Sequence, residues 1–516
     1  MIRDLHTEVP SRDEIADVCV VGAGAAGIVL AVELARLGRR VTLLEGGGVS
    51  VEDESQGPYS SQVVGLTHRG VHTGRFRALG GTTHRWGGQI LELDDIDFER
   101  RDWVSGSGWP FPKRELASAY ARALQLEGLQ AVQTADIDVW RDLGIAPPDL
   151  RELTPYFTRW TPEPNFALLH AAPLAGENIA VWVHANAVGL ELHGEEVRGV
   201  RARPLHGPET LFRASQYVFC LGAIESSRFF LQARDGVLPW NRSGLLGRHF
   251  QDHIDSNAAE LRVFDRRRFH AWFDNVFLRQ HKYHPKLKWN KDAMRQRGVL
   301  NAGATMYFVS ELDEQLAAVK QVARRLIRSG PRSIRAGEMR HGLANLPLLA
   351  RQAIRYKLSH RAWNPPSARV YLRVHCEQEP LGASSISLSG DRDALGMLRT
   401  RLDWRISASE QRTILEFARL ARLELNMLAD LTIDPDLEHG YAAFLNRCDD
   451  SNHHMGGMRM GTTDADGVVD PNLKLFGTRN CFVCSGAVFP TSGFSNPTHT
   501  VLALAVRLAH HLSIAQ

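Results

Sequence analysis

The chain has 516 residues, of which 44% are hydrophobic and 23% charged, with a formal net charge of +3. That length exceeds one ordinary hydrophobic core, so two or more domains are expected. The small net charge argues against a nucleic-acid partner, and six cysteines in so long a chain argue against a disulfide framework.

The first residues, MIRDLHTEVPSRDEIAD, are polar and hold no apolar signal core, which sets a cytoplasmic, reducing location as the expectation. Val18 to Val21 is an apolar β-branched run suited to a buried parallel strand. Gly22, Gly24 and Gly27 follow as G-x-G-x-x-G, then Ile28 to Leu37 with helical apolar spacing and Gly38 as a C-cap. Val41 to Leu44 reads as a second strand, closed by Glu45. Glycines here allow a tight turn, a close approach of backbone to a pyrophosphate and close packing of helix on sheet. The helix N-terminus offers free N–H groups to phosphates, and a carboxylate at Glu45 suits a ribose diol. The unit therefore predicts an adenine dinucleotide site. It is too short, and its glycines too clustered, for a membrane span.

Val49 to Val71 reads as irregular and polar. The stretch Gly74 to Gln89 holds five glycines among aromatic and hydroxyl residues, a loop whose backbone can lie close to a flat ligand. Pro112 precedes a helix bearing Glu115 in its first turn and Leu116, Tyr120 and Leu124 on its apolar face. Residues 101–165 lack dinucleotide features and are expected to start a second domain. Ile179 to Arg203 reads as strands around a His193-Gly194 turn. Tyr217 to Arg228 is a strand running into a glycine turn and a helix, so the first domain resumes there.

Strands are expected at Ala302 to Val309 and Ala368 to Val374, and a hairpin-like pair at Ser384 to Leu388 and Arg399 to Trp404. Gln411 to Met427 is periodic as a helix. Residues 311–361 carry 11 Lys/Arg against 4 Asp/Glu. They read as a solvated helical cover, with a membrane-surface patch or a subunit contact as the alternatives. Cys481 and Cys484 form a C-x-x-C without a second pair and in a β-like context, so strand residues are expected there and no metal site. Asn496-Pro497-Thr498-His499 precedes a closing helix from Val501 to about Leu512.

Taken together, these blocks resemble the glucose–methanol–choline (GMC) oxidoreductases. The resemblance rests on the Gly22 to Gly27 motif with Glu45, the Gly80-Gly81-Thr82-Thr83-x-x-Trp86-Gly87-Gly88 loop, and Cys220 to Arg228. Asn241 to His253, the His453 to Gly461 segment and Asn496-Pro497-Thr498 add to it. It implies an α/β chain with an α+β second domain. A Rossmann-like FAD-binding domain would comprise residues 1–100, 170–265 and 450–516. A substrate domain of antiparallel sheet backed by helices would comprise 101–169 and 266–449.

The resemblance also implies roles. His453 would be the catalytic histidine, ahead of its neighbour His454, and Asn496 the second active-site residue. His499 is expected to pack within its helix. For FAD, the implied contacts from the nucleotide motif are Gly22, Gly24, Ala25, Ala26, Gly27, Glu45 and Gly46. The loop adds Arg77, Gly80, Gly81, Thr82, Thr83, Trp86, Gly87, Gly88 and Gln89. Val188, Cys220, Gly222, Gly486, Ala487, Asn496, Pro497 and Thr498 complete the set. Trp86 stands where the family often has asparagine, and Ser485 where aspartate is frequent. Arg85 rather than His84 falls at the position that carries covalent flavin in some relatives, so noncovalent FAD is expected. The implied reaction is oxidation of an alcohol to a carbonyl, with the hydroxyl proton passing to His453 and hydride to flavin N5. The expected partner is a sugar, glycoside, polyol or amino sugar, with oxygen or another carrier as acceptor. Trp103, Trp109 and Trp160 are candidates to stack on a sugar face, although core packing suits each better. An apolar alcohol or sterol at a membrane surface is the alternative.

Overall fold

The computed structural model describes all residues except 1, 12–13, 133, 233–237, 313–314, 316–345 and 515–516. Most of the basic 311–361 segment therefore lies outside the described residues.

The chain is mixed α/β, built on two large sheets. The first sheet grows from the N-terminal unit. Ile15–Val21 and Val41–Leu44 are buried strands paired in parallel, joined by the helix Ala25–Arg36. Ile179–Val183 extends the sheet beyond Val41–Leu44, and Ile2–Asp4 lies outside it. On the other side Thr210–Phe219 and then Cys481–Val483 add in parallel. The Ile179 to Arg203 region thus divides. Its first strand is buried almost throughout and enters the parallel sheet. Asn186–His193 and Glu196–Arg203 are more exposed and pair as an antiparallel ribbon. Parallel sheets are covered on both faces, so the nearly unbroken burial along Ile179–Val183 is the discriminating feature.

The second sheet is antiparallel. From one edge it runs Ala429–Ile433, Ile254–Val263, Arg369–Cys376, Ala302–Val309, His281–Trp289, Leu153–Trp160 and Gln89–Ile90. The helix Ala408–Glu424 backs it, with Phe417 against Trp289 at 5.3 Å between ring centroids. Ser407 caps that helix, and Glu410 closes a capping box, which stabilises it by about 1 kcal/mol. Ser385–Arg392 and Leu398–Asp403 form the expected antiparallel pair, and Ser61–Val63 joins it in parallel. The segment read as irregular between Val49 and Val71 thus contains a strand, too short to show a period of two.

The helix Ala117–Leu126 packs chiefly against the C-terminal helix Pro497–Ile514, while its Leu124 meets a smaller cluster that includes Phe157 and Tyr283 of the second sheet. Leu116, Ala119, Tyr120, Ala123 and Leu126 all enter the first core. An amphipathic helix goes where its apolar face is covered, and sequence position does not report that. Among the described residues no helix is long and apolar enough to cross a membrane.

Candidate active site

The strand ends of the first sheet open on a cavity of about 560 Å³. Gly22 turns the chain at φ +99, and a Cβ there would meet the Cys220 carbonyl oxygen at 2.7 Å. A Cβ on Gly27 would fall 1.9 Å from the Gly22 oxygen, so the helix start and the turn pack as closely as glycine allows. Gly24 is different: its Cβ position has no atom within 4 Å, and the residue lines the cavity. Gly24 is also the N-cap of the Ala25–Arg36 helix, without a side-chain cap, and Ala25 and Ala26 line the same cavity. An uncapped 12-residue helix thus aims its first N–H groups into space that a side chain would fill.

Glu45 is buried at the end of its strand and accepts from the backbone N–H groups of Ala23 at 3.1 Å and Gly47 at 2.9 Å. Burial raises its pKa, against those hydrogen bonds and Arg77. Arg77 bonds Asn186 through Nη2, while its Nε is buried with no partner among the described residues. Further along the cavity Glu225 accepts from Arg75 at 2.8 Å and from Arg228 at 3.0 Å. Burial would raise the Glu225 pKa, but the two guanidinium groups and Arg77 outweigh it and hold it low.

Of the residues expected at the cofactor, Gly22, Gly24, Ala25, Ala26, Glu45, Gly46 and Arg77 line this cavity. So do Gly81, Thr82, Thr83, Trp86, Gly87, Cys220, Gly222, Gly486, Asn496, Pro497 and Thr498. Gly27, Gly80, Gly88, Val188 and Ala487 do not, and Gln89 lines a second cavity instead. Asn186, Ala187 and Arg75 line it without having been singled out from sequence. Trp86 is anchored by its indole N–H to the Pro164 carbonyl at 2.6 Å. His84 stays off the cavity, with Nε2 at 2.8 Å from the Leu79 carbonyl oxygen and Nδ1 at 3.4 Å from the Asn165 amide.

At the far end of the cavity, Asn496 immediately precedes the C-terminal helix, and its Nδ2 donates to His453 Nε2 at 3.0 Å. The proton positions follow from the partners. His253 Nε2 lies 2.8 Å from the Gly493 carbonyl, which only accepts, so Nε2 carries the hydrogen. Burial, with His375 and His453 adding, holds His253 well below its ordinary pKa. Its Nδ1 is therefore bare and faces His453 Nδ1 at 2.9 Å and His375 Nε2 at 3.0 Å, and since the Asn496 amide nitrogen only donates, His453 Nε2 is an acceptor and its hydrogen sits on Nδ1. This leaves the lone pair of His453 on Nε2, beside Asn496. Burial, with His375 adding, pushes His453 down to about 3. Its backbone N–H donates to Asp252 at 2.8 Å, and Asp252 in turn pairs with His68 at 3.1 Å.

The second cavity, about 180 Å³, lies over one face of the antiparallel sheet. Ser451, His453 and Asn496 line both cavities, so the two meet at the histidine–asparagine pair. Asp255, Lys286, Thr305, Arg373 and His375 come from four adjacent strands, and Gln89, Tyr156 and Phe494 close the walls. His375 Nε2 reaches His253 Nδ1 at 3.0 Å, and His375 Nδ1 reaches Asp255 at 2.6 Å. His253, Asp255, Lys286 and His375 were not singled out from sequence. The polar positions Arg373 and His375 alternate with buried apolar ones along Arg369–Cys376, the signal that could have found them. His499 is buried and pairs with Glu127 at 2.8 Å, the packed fate expected of it. Trp103, Trp109 and Trp160 line neither cavity.

Comparison with known proteins bears on both halves of the site. Residues 380–505 match the family model described as GMC oxidoreductase, and residues 17–239 match FAD dependent oxidoreductase. A C-glycoside 3-oxidase of Microbacterium trichothecenolyticum is 31% identical over 151 residues, 29% of this chain and 28% of that protein. Another, from Arthrobacter globiformis, is 27% identical over 150 residues, again 29% of this chain and 28% of that protein. The matches thus span little more than a quarter of those relatives. The crystal structure of pyridoxine 4-oxidase from Mesorbium loti aligns over 96% of this chain and 99% of its own, with a TM-score of 0.55 at 18% identity. A formate oxidase structure aligns over 98% and 99%, with a TM-score of 0.59 at 14% identity. At such identities these structures establish the shared fold.

Proposed function

We propose that this chain, an FAD-dependent oxidoreductase of the GMC family, oxidises an alcohol group of a sugar-like substrate to a carbonyl. The observation that carries the reading is the His453–Asn496 pair, set where the dinucleotide cavity and the second cavity meet.

The residues fit the cofactor. Space beside Gly24, the uncapped helix start at Ala25 and Ala26, and buried Glu45 suit the adenosine and pyrophosphate portion. Gly81 to Gly87, Gly486 and the segment Asn496 to Thr498 would hold the ring end. Bound FAD supplies a two-electron acceptor for the hydride leaving the alcohol carbon. Because His84 is turned away with both ring nitrogens engaged, noncovalent binding is the reading we favour.

The chain's own part is proton handling and positioning. A substrate hydroxyl entering between Nε2 of His453 and Nδ2 of Asn496 donates to the first and accepts from the second. Burial keeps His453 unprotonated, so Nε2 is ready to take the hydroxyl proton. The Asn496 amide fixes the tautomer, and the Nδ1–H facing His253 the ring orientation. Trp86, held at Pro164, forms part of the cavity wall.

A polar second cavity, with Gln89, Thr305 and Ser451 available to hydroxyl groups, supports a polyhydroxy substrate. The sequence similarity to C-glycoside 3-oxidases supports it independently. An apolar alcohol or sterol is the competing reading, and Asp255, Lys286 and Arg373 in the cavity count against it.

The test is anaerobic bleaching of the holoenzyme's flavin absorbance against sugars, glycosides, amino sugars and apolar alcohols. Bleaching by glycosides or sugars is expected. Bleaching by apolar alcohols alone would overturn the substrate class. Return of the absorbance in air identifies oxygen as an acceptor.

A further inference from the structure

From Lys282 on, the strand His281–Trp289 alternates half-buried and buried residues, and the four side chains of Lys282, His284, Lys286 and Lys288 share one face. Three of the four are accounted for. Lys282 sits 3.5 Å over the Trp160 ring. His284 Nε2 meets Thr305 Oγ1 at 2.7 Å. Lys288 pairs with Asp94 and lies over Tyr156. Lys286 is the exception. It lines the second cavity, yet among the described residues its ammonium makes no hydrogen bond and no ion pair.

The carboxylate nearest in kind does not answer it. Asp255, the one carboxylate on the wall of this cavity among the described residues, gives one oxygen to His375 Nδ1 at 2.6 Å and the other to Arg373 Nη2 at 3.0 Å. Burial would raise the Asp255 pKa, but these two partners outweigh it and hold the carboxyl below its usual range. An ammonium facing a confined cavity without a counter-ion loses solvation that nothing on the protein restores. Burial accordingly lowers Lys286 to about 8, with Asp255 offsetting part of the effect. The same cavity holds His453 and Asn496, so an anion at Lys286 and a hydroxyl at the oxidising pair would belong to one molecule. At about 180 Å³ the space is smaller than ordinary ligand pockets, which run from about 300 Å³ upward, and suits a single ring.

We propose that Lys286 anchors a carboxylate of the substrate, which makes the substrate class a sugar acid or carboxyl-bearing hydroxy compound. The proposal deepens the reading of His453 and Asn496 as the oxidising pair, and rests on it for the hydroxyl only. A neutral sugar would leave the ammonium uncompensated, and an amino sugar would place like charge against it. A carboxylate meets it with a charge-assisted hydrogen bond.

The experiment uses FAD-loaded enzyme and a pair of ring ligands that cannot be oxidised at a hydroxyl, tetrahydropyran-2-carboxylate and its neutral carboxamide. Binding is read from the perturbation of flavin absorbance. The carboxylate should bind at least about tenfold more tightly than the amide, a difference of about 1.4 kcal/mol. Lys286→Gln should abolish that preference, and Lys286→Arg should keep most of it. Equal binding of acid and amide by the unaltered enzyme overturns the proposal, as does a preference that survives Lys286→Gln. The first of these needs no variant, so a misfolded Lys286→Gln leaves the test intact.

Flavin reduction by a glycoside, its uronic acid and its 2-amino analogue adds a second arm. The uronic acid should have the lowest Kd, and the advantage should vanish in Lys286→Gln. Reduction by the neutral glycoside with equal Kd overturns the carboxylate anchor and leaves sugar oxidation standing. Lys286-dependent acid binding without reduction by any sugar supports the anchor and overturns the oxidation reading instead.

Discussion

His453 takes its properties from what surrounds it rather than from being a histidine. The Gly493 carbonyl fixes the hydrogen of His253 on Nε2, the donating amide of Asn496 leaves the hydrogen of His453 on Nδ1 facing His253, and Nε2 is left for the substrate. In the proposed reaction, His453→Ala should retain FAD but slow flavin reduction by roughly 10²- to 10⁴-fold, the usual contribution of a positioned base. Anaerobic stopped-flow reduction measures this, and a rate near that of the unaltered enzyme would remove His453 from the role. A pH profile distinguishes the base from the anchor. With its pKa pushed to about 3, His453 is neutral throughout the working range, so the reduction rate should show no inflection near the ordinary histidine value of 6.5. Lys286, lowered to about 8, faces Asp255 on one strand, Arg373 and His375 on another, and Tyr156 and His453 across the cavity. An amine with a lowered pKa is charged below that value and loses its charge above it. Carboxylate affinity should therefore weaken as pH rises through about 8, while the reduction rate of bound substrate holds. An affinity that stays flat to pH 9.5 would contradict the assignment of Lys286.

Local elements were readable because their determinants lie within a few residues. Val18 to Glu45 carries strand, turn, helix and second strand in one run, and Ile15–Val21, Ala25–Arg36 and Val41–Leu44 form there. Ala302–Val309 forms with the limits its pattern implied. What could not be read is which element meets which. The register that sets Asp255 opposite His375, and Gly303 opposite His375 on the other side, joins positions scores of residues apart. His253 stands out in the sequence only as the end of a motif, and nothing in the pattern around Lys286 marks it. Alternation along a strand tells which residues share a side but not what that side covers. The same blindness applies to Arg101, one of many surface-looking arginines. It is buried and bonded bidentately to Glu377 at 2.7 and 2.6 Å, tying the segment after Gln89–Ile90 to the end of the Arg369–Cys376 strand. Arg101→Leu would strand the buried Glu377 carboxylate and should cost about 3–5 kcal/mol of stability. Chemical denaturation of the holoenzyme reads the loss, and a cost under about 1 kcal/mol would mean that water reaches Glu377.

At the scale of the molecule, the cofactor cavity draws its walls from segments far apart in sequence. Residues from the Gly22 to Ala26 turn, from the two ends of the Arg75 to Gly87 loop, from Cys220 to Arg228, from Ser451 to His454 and from Asn496 to Thr498 line it, together with Asn186. Three of these segments hang on the first sheet. The Asn496 segment opens the C-terminal helix, which packs on both the Ala25–Arg36 and Ala117–Leu126 helices. The histidine segment is fastened instead to the second sheet, through the Ile254 to Asp450 pairing and the contact of His453 with His253. A ligand held by all of them binds only when both sheets are in place. Its binding free energy therefore appears as folding stability, by RT ln(1 + [L]/Kd), or about 4 kcal/mol at a thousandfold excess over Kd. Removing FAD should lower the melting temperature, and adding it back should raise the transition in proportion to the logarithm of its concentration. Because the cavity bridges the two sheets, the apo chain should also lose cooperativity, with the first sheet and the second melting apart. Calorimetry of apo and reconstituted protein measures both effects. A single unshifted transition in the apo chain would show that the two sheets hold each other without the cofactor, through contacts such as Arg101–Glu377 alone.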